Sequence, residues 1–489
     1  MSAEVRKGGV VILSRGQRLE RLFSSIGREL SRDTPVAAMI EERERPLWSG
    51  IEAVTLAEAA RGGADVGQGD IAAIEAETGL TVYQAARNYL LYGRLHSEVF
   101  GWKAGPWRWE SEEQIVAEYL ESYRAIRNLL DRHAPSIVLL EAPDTIYAAL
   151  AQMMAYKRGA LTVGLYFAPL AGDCSMFLYT GFQPQNVLLR YYWDNPGAIP
   201  EHAMALGAER IASTRSSGPR AIAYVSEMSA RSRGVVGPMV RKAVGAVASR
   251  EQWHRFGPRA LGKRAQVLRK ELWLRRQLRR DIPPEPFVLY YMQHQPEASA
   301  TTQAPHAIDQ MQLIEQMAVN APGGWRIVVK EHPRTYPARG EGYFRPLVDL
   351  PNVHLCHPSV SSHALLEKAR CVVTLTGSVG IEALFMGKPV AVIGRPYYAF
   401  FPKVMRLERA GDLFAVMSGS GVGHHDEGEL ERFAGAYYAS VFDAGKLADD
   451  RMWPEPGEGG VRIADAVRRH MALITSGALC VADYAPFQR

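Results

Sequence analysis

The chain has 489 residues, of which 47% are hydrophobic and 22% charged, with a net charge of +5. That length exceeds a single hydrophobic core and implies two or three domains of roughly 100–200 residues each. The composition is that of an ordinary folded protein, and no apolar run approaches the ~18–20 residues that span a bilayer, which argues against a transmembrane protein.

Met1 to Val11 has charges but no apolar h-region or cleavage site, so a cytoplasmic location is expected. Strands are predicted at Gly9–Leu13, Pro35–Ile40, Ser136–Glu141, Leu161–Phe167 and Ala221–Val225. Long helical runs cover Ile71–Leu91 and Glu112–Arg132. In the second run Ile115, Tyr119, Tyr123, Ile126 and Leu130 recur at helical spacing. Met153, Met154 and Met176 read as core packing. This βα alternation argues for a mainly parallel sheet covered by helices.

Strand signals vanish near Met228–Pro284. Between Arg231 and Arg280 there are 15 Lys/Arg against two acidic residues, Glu251 and Glu271. The proline cluster Asp281–Pro286 cannot continue a helix and marks the inter-domain connection. Strands resume at Phe287–Met292, Trp325–Lys330, Val353–Leu355, Cys371–Leu375 and Pro389–Ile393, with helices at Pro305–Val319, Ser361–Ala369 and Ser378–Phe385. From Gly428 onward the chain is helical in two pieces, the last over Val461–Ile474. The division that follows is an N-terminal Rossmann-like unit (1–227), a basic helical connector (228–285), a C-terminal Rossmann-like unit (286–425) and terminal helices (426–489). The fold class is α/β. Cys174, Cys356, Cys371 and Cys480 are scattered without a C-x-x-C pair, which favours buried inert thiols over a disulfide framework or a zinc knuckle.

Three predicted strand ends in the second half carry polar groups. After Cys371–Leu375 comes Thr376-Gly377-Ser378-Val379-Gly380-Ile381-Glu382, a turn opening a helix. Unpaired N–H groups and the helix dipole suit a phosphate there, with the Thr376 and Ser378 hydroxyls adding hydrogen bonds. Gly377 and Gly380 would let the chain approach a ligand, and Glu382 could accept hydrogen bonds from ribose hydroxyls. An ordinary Ser N-cap followed by Glu fits the same residues. The Met386-Gly387-Lys388-Pro389 turn then leads into the next strand. Upstream, Ile327–Lys330 runs into Glu331-His332-Pro333, and Tyr290–Met292 into Gln293-His294-Gln295-Pro296-Glu297-Ala298-Ser299. Side chains at the carboxyl ends of parallel strands face the ligand crevice of an open α/β sheet. Lys330 and His332 there are candidates for a phosphate, against the plainer alternative of a satisfied turn histidine.

The strand–turn–helix–Gly-Lys-Pro–strand unit looks like the nucleotide-binding half of GT-B glycosyltransferases, and of the nucleotide-sugar epimerases that share that fold. Together, Gln-Pro-Glu-x-Ser, Lys-Glu-His-Pro and Gly-Ser-x-Gly-x-Glu-Ala resemble the capsule polysaccharide biosynthesis family over about Phe287–Tyr398. That family includes Kdo transferases that use CMP-β-Kdo and retain configuration, and the His-Pro pair is similar to that of bacterial sialyltransferases. The resemblance implies two facing Rossmann-like domains and a nucleotide-sugar donor, CMP-linked in preference. It implies that His332, beside Pro333, contacts the nucleotide phosphate. Gln295, Pro296 and Glu297 would belong to the motif shaping the sugar-nucleotide pocket, and Ser378 and Glu382 would hold phosphate and ribose.

The first half departs from that pattern, since no acid directly follows Leu161–Phe167. A retaining double displacement needs a carboxylate nucleophile and an acid/base group. Glu141 and Asp173 are the candidates, with Asp144 in reserve, though each also fits a helix cap or surface charge. No Asp-x-Asp pair stands at a strand end, so neither a metal nor any cofactor is expected to be required, the leaving phosphate being held by a helix dipole and side-chain donors. Segment 231–280 is by default a solvated face. Its functional alternative is peripheral docking, through Trp253, Trp273 and arginines, on the inner membrane where a lipid-linked acceptor resides. No nucleic-acid motif accompanies it. The functions to separate are a glycosyltransferase of surface polysaccharide acting on a glycan or lipid-linked glycan acceptor, a nucleotide-sugar epimerase, and a non-catalytic nucleotide-sugar-binding protein.

Overall fold

The computed structural model describes residues 8–14, 19–62, 66–100, 111–182, 184–218, 258–295, 297–333, 335–336, 339, 341–417, 426–448 and 453–486. Two sheets organise it. The N-terminal sheet holds β1 (Val10–Leu13), β2 (Val36–Ile40), β3 (Glu52–Thr55), β4 (Ile137–Leu140), β5 (Leu161–Phe167), β6 (Ser175–Thr180) and β7 (Gln185–Asn186). The C-terminal sheet holds β8 (Phe287–Tyr291), β9 (Arg326–Lys330), β10 (Val353–Cys356), β11 (Cys371–Thr374), β12 (Val390–Val392) and β13 (Val404–Arg406).

Both sheets have the same spatial order. The first runs β3-β2-β1-β4-β5-β6 and the second β10-β9-β8-β11-β12-β13. Pairing is parallel throughout the second, and parallel in the first except for β6, which returns antiparallel to β5. This is the doubly wound Rossmann order, with a topological switch point between β1 and β4 and another between β8 and β11. The strands β8, β9, β11 and β12 are short apolar runs because both their faces are buried.

The chain then returns to the first sheet. Strand β14 (Phe442–Asp443) pairs antiparallel with β6. Helix Pro456–Thr475 contacts helix Glu20–Leu30, and Ile463, Ala464 and Val467 join the core of Phe23, Ile26, Ile137 and Val163. Another core runs from β6 and helix Val187–Asp194 to Phe287, Val372, Leu384 and Phe433, so the two halves share one apolar seam.

The predicted helix Ile71–Leu91 is three pieces. Gly79, at φ +75, ends Ile71–Thr78, and Thr81 caps Val82–Ala85 before Arg87–Phe100 begins. Helices Glu112–His133, Gln310–Val319, Ser362–Lys368, Val379–Phe385 and Glu427–Ser440 lie close to their expected positions. The strand expected at Ala221–Val225 and most of the basic connector lie outside the described residues. Among the described residues, no helix is long and apolar enough to cross a membrane. Cys174, Cys356 and Cys371 are buried, but Cys480 is exposed, contrary to expectation.

Candidate functional site

At the second switch point, β8 ends in Met292–Gln295 and β11 in Leu375–Ser378. The two loops meet: a Cβ placed on Gly377 would stand 3.5 Å from Gln293 Oε1 and 2.8 Å from Thr374 Oγ1. Thr374 Oγ1 accepts the Gly377 N–H at 3.1 Å, which tightens the turn. Ser378 stands at the N-cap in an αR conformation, and its side chain makes no capping bond. The first helical turn is closed by backbone bonds instead, from Gly380 N–H to Gly377 O and from Ile381 N–H to Ser378 O. The Ser378 hydroxyl lies beside Glu382. Among the described residues, the amides of Ser378 and Val379 find no backbone acceptor. Thr376 is 3% exposed and its Oγ1 has no hydrogen-bond partner among them.

Contrary to the expectation from the sequence, Gly380 does not open a path for a ligand. A Cβ there would lie 2.1 Å from Tyr398 Oη, so the glycine makes room for that hydroxyl, which donates to Gly377 O.

Lys330, at the end of β9, is 5% exposed, and its Nζ donates to Val360 O at 2.8 Å and Ser362 Oγ at 2.6 Å. An ammonium has three donors, of which these bonds use two, and Nζ also stands 5.5 Å from the centroid of the Tyr291 ring. Burial lowers its pKa to about 8, partly offset by Glu382. Glu382 keeps some exposure as a residue, but the protein around its carboxyl raises its pKa to about 7 against the pull of Lys330. Burial thus works against the charge of both groups, while the charge of each favours that of the other.

His332 and Pro333 follow β9 and are partly exposed. Glu331 is buried and paired with the buried Arg339 at 2.8 Å, and Arg339 also donates to Gln293 O at 2.8 Å. Glu331 Oε1 accepts the His332 N–H at 2.6 Å. Gln295 is fully buried. Its amide donates to Ile308 O and its Oε1 accepts from Gln310, both at 2.8 Å, so it braces the loop from behind. Glu297 accepts from Ser299 Oγ at 2.9 Å and Gln293 Nε2 at 3.4 Å. Pro296 lies outside the described residues.

The N-terminal half reaches this region through residues its sequence did not single out. Tyr166, near the end of β5, lies 5.8 Å from Tyr397 between ring centroids, and the charge of Glu297, after burial, helps hold its phenol protonated. Asn88 accepts from Thr301 Oγ1 and donates to Asp144 O at 3.0 Å, and Arg87 donates to Thr302 O at 3.3 Å. Loop 297–303 is thus held from both halves. A partly buried strand tyrosine and an asparagine in the first turn of a helix carry no local sequence signal for this.

The candidate carboxylates separate. Glu141 stands at the end of β4, beside the first switch point, and its carbonyl accepts from Tyr179 Oη at 3.4 Å. Asp144 is buried just before the N-cap Thr145. Asp173 is brought near none of them: it stands before β6 in a hollow shared with Cys174, Asp443 and Lys446 on the margin formed by β14. Two strand spacings, about 10 Å, separate the lines of β4 and β6. Among the described residues, no group of three or more His, Cys, Asp or Glu could hold a metal ion.

Residues 277–401 match the family model described as capsule polysaccharide biosynthesis protein. Over 88 residues the chain is 35% identical to the capsule polysaccharide modification protein LipA of Neisseria meningitidis serogroup A, a stretch that is 18% of this chain and 12% of LipA. It is 37% identical over 91 residues to protein FixF of Sinorhizobium fredii, covering 19% of this chain and 21% of FixF. The chain thus matches only a minor part of these relatives' length. Among solved structures, KpsC β-Kdo 2,7 transferase of Thermosulfurimonas dismutans aligns with 70% of this chain and 85% of its own, at 16% identity and a TM-score of 0.31. The UDP-GlcNAc 2-epimerase of Neisseria meningitidis aligns with 95% and 99%, at 13% identity and a TM-score of 0.28. Scores this low establish nothing by themselves, and the fold follows from the strand order.

Proposed function

We propose, from a C-terminal half whose residues 277–401 are of the capsule polysaccharide biosynthesis type, that the chain is a glycosyltransferase of surface-polysaccharide assembly. One observation carries this: the matched segment contains the switch point at which Gln293, Lys330, His332, Thr376–Ser378 and Glu382 gather on a single sheet edge. In this reading the leaving phosphate sits against the Thr376–Ser378 turn, with the Lys330 ammonium and the His332 imidazole as donors. Glu382, when ionised, accepts from the ribose hydroxyls. No metal or other cofactor is needed, since the charge developing on the phosphate meets fixed N–H groups and cations of the chain.

The donor we favour is CMP-linked and of the Kdo type, transferred with retention, because three motifs of that resemblance occur together in one segment. The acceptor, a glycan or lipid-linked glycan, would enter from the N-terminal sheet. Glu141 is the stronger candidate for the catalytic carboxylate, because β4 borders the crevice and Asp173 stands at the far margin. Helix Pro258–Gln277 exposes Arg269, Leu272 and Arg276, a face suited to the anionic inner leaflet where such acceptors lie.

The test is a panel of CMP-, UDP- and GDP-sugars, read by thermal shift and then by nucleotide release with and without acceptor glycan. Stabilisation by CMP compounds and acceptor-dependent release is the expected result. Isomerised sugar without loss of nucleotide would replace the transferase with an epimerase. Nucleotide binding with neither reaction would leave a binding protein, and no binding at all would end the proposal.

A further inference from the structure

His294 belongs to none of the roles assigned above, yet it is buried beside His332. Their ring centroids are 5.5 Å apart, with planes inclined by 35°. Nδ1 of His294 shares a hydrogen bond of 2.8 Å with Thr335 Oγ1. Thr335 is fully buried, and its N–H donates to His332 O at 3.0 Å, as does that of Tyr336 at 3.1 Å. The turn that begins at His332 is therefore anchored to the end of the neighbouring strand through the His294 ring.

The backbone of His332 is fixed on its other side as well. Its N–H meets Glu331 Oε1, and Arg339 holds that carboxylate while donating to Gln293 O. Both peptide groups of His332 are thus engaged, and one side of its imidazole is occupied by His294. A misplacement of about 1 Å is enough to cost a large part of a directed interaction.

We propose that His294, through Thr335, is a positioning residue for His332, setting the orientation in which that imidazole donates to a nucleotide phosphate oxygen. The inference rests on the assignment of His332 to the phosphate. It predicts that His294 contributes to the recognition of the phosphate alone and not of the nucleoside.

The experiment compares the affinities of the full chain for CMP and for cytidine, or for whichever nucleotide of the panel binds and its nucleoside. The ratio of the two isolates the phosphate. His294→Phe and Thr335→Val should lower this ratio about tenfold and leave nucleoside affinity within about twofold. His294→Asn, whose amide can replace Nδ1, and Thr335→Ser should restore it. In a His332→Ala background His294→Phe should have no further effect. Equal losses for nucleotide and nucleoside, an unchanged ratio in His294→Phe, or the same fall in the His332→Ala background would overturn the proposal. An unchanged ratio in His332→Ala itself would instead remove the phosphate assignment on which the proposal stands.

Discussion

In the C-terminal sheet, the loops after β8, β9 and β11 present Gln293, Lys330, His332 and the Thr376–Ser378 turn along one edge. In the N-terminal sheet the equivalent positions are largely spent on local structure. Ser14, after β1, donates to the buried Glu44 at 2.5 Å, and Glu44 accepts the Glu41 N–H at 3.1 Å. Thr55, ending β3, caps helix Leu56–Ala59. Both sheets have a crevice at the same topological point, because strand order alone creates it. Ligand chemistry needs donors and acceptors left over after the loops have satisfied themselves, and this separates the half proposed to bind the donor from the half proposed to receive the acceptor.

The largest effect should come from Glu141→Gln, which tests whether the N-terminal half contributes chemistry at all. Transfer should fall by about 10²–10⁴-fold with nucleotide affinity unchanged. Transfer kept at the wild-type rate would move the carboxylate elsewhere, with Asp144 and Asp173 next to be replaced. Next in size, the loop anchors of the two sheets should differ in cost. Arg339→Met strands the buried Glu331 carboxylate and should destabilise by about 3–5 kcal/mol in urea unfolding. Ser14→Ala removes one hydrogen bond to Glu44 and should cost about 1–3 kcal/mol. Equal costs would erase the distinction.

The smallest effect is on pH dependence. The folded pKa of Glu382, about 7, is above its ordinary 4.5, so its contribution to stability is full below pH 4.5 and is lost as pH rises through 7. The folded pKa of Lys330, about 8, is below 10.5, so its contribution is full above pH 10.5 and is lost as pH falls through 8. Glu382→Gln should flatten the stability profile between pH 4.5 and 7 and, by removing the charge that supports the Lys330 ammonium, extend the alkaline limb to lower pH. An unaltered acid limb would show that Glu382 is not held in a desolvated site.

Much of the C-terminal half was legible, because strands buried on both faces appear as short apolar runs and Gly387-Lys388-Pro389 punctuates them. Side-chain partnerships were not. Lys330, Glu331 and His332 are adjacent in sequence, yet Lys330 ends the strand with its ammonium on Val360 and Ser362, Glu331 enters a buried ion pair and His332 is partly exposed, because the strand ends at Lys330 and tertiary partners place the residues that follow. Arg339, eight residues beyond Glu331, had no pattern to mark it as its partner. Gly380 sat in a glycine-rich turn that suggests a ligand, and the occupant is Tyr398 from beyond the next strand. In the N-terminal half, β6 returns antiparallel after a loop that Pro169 and Gly172-Asp173 do punctuate, a signal that periodicity alone leaves unused, and the αL residue Gly79 divides what periodicity joins into one helix.

The return of β14 and helix Pro456–Thr475 to the first sheet has a consequence for biosynthesis. Until residues 442–484 leave the ribosome, the start of β6 presents an unpaired edge and helix Glu20–Leu30 an uncovered apolar face, although every other strand of that sheet was made at least about 250 residues earlier. The C-terminal sheet, spanning Phe287–Arg406, can therefore complete its strands first, and the half synthesised first is the one finished last.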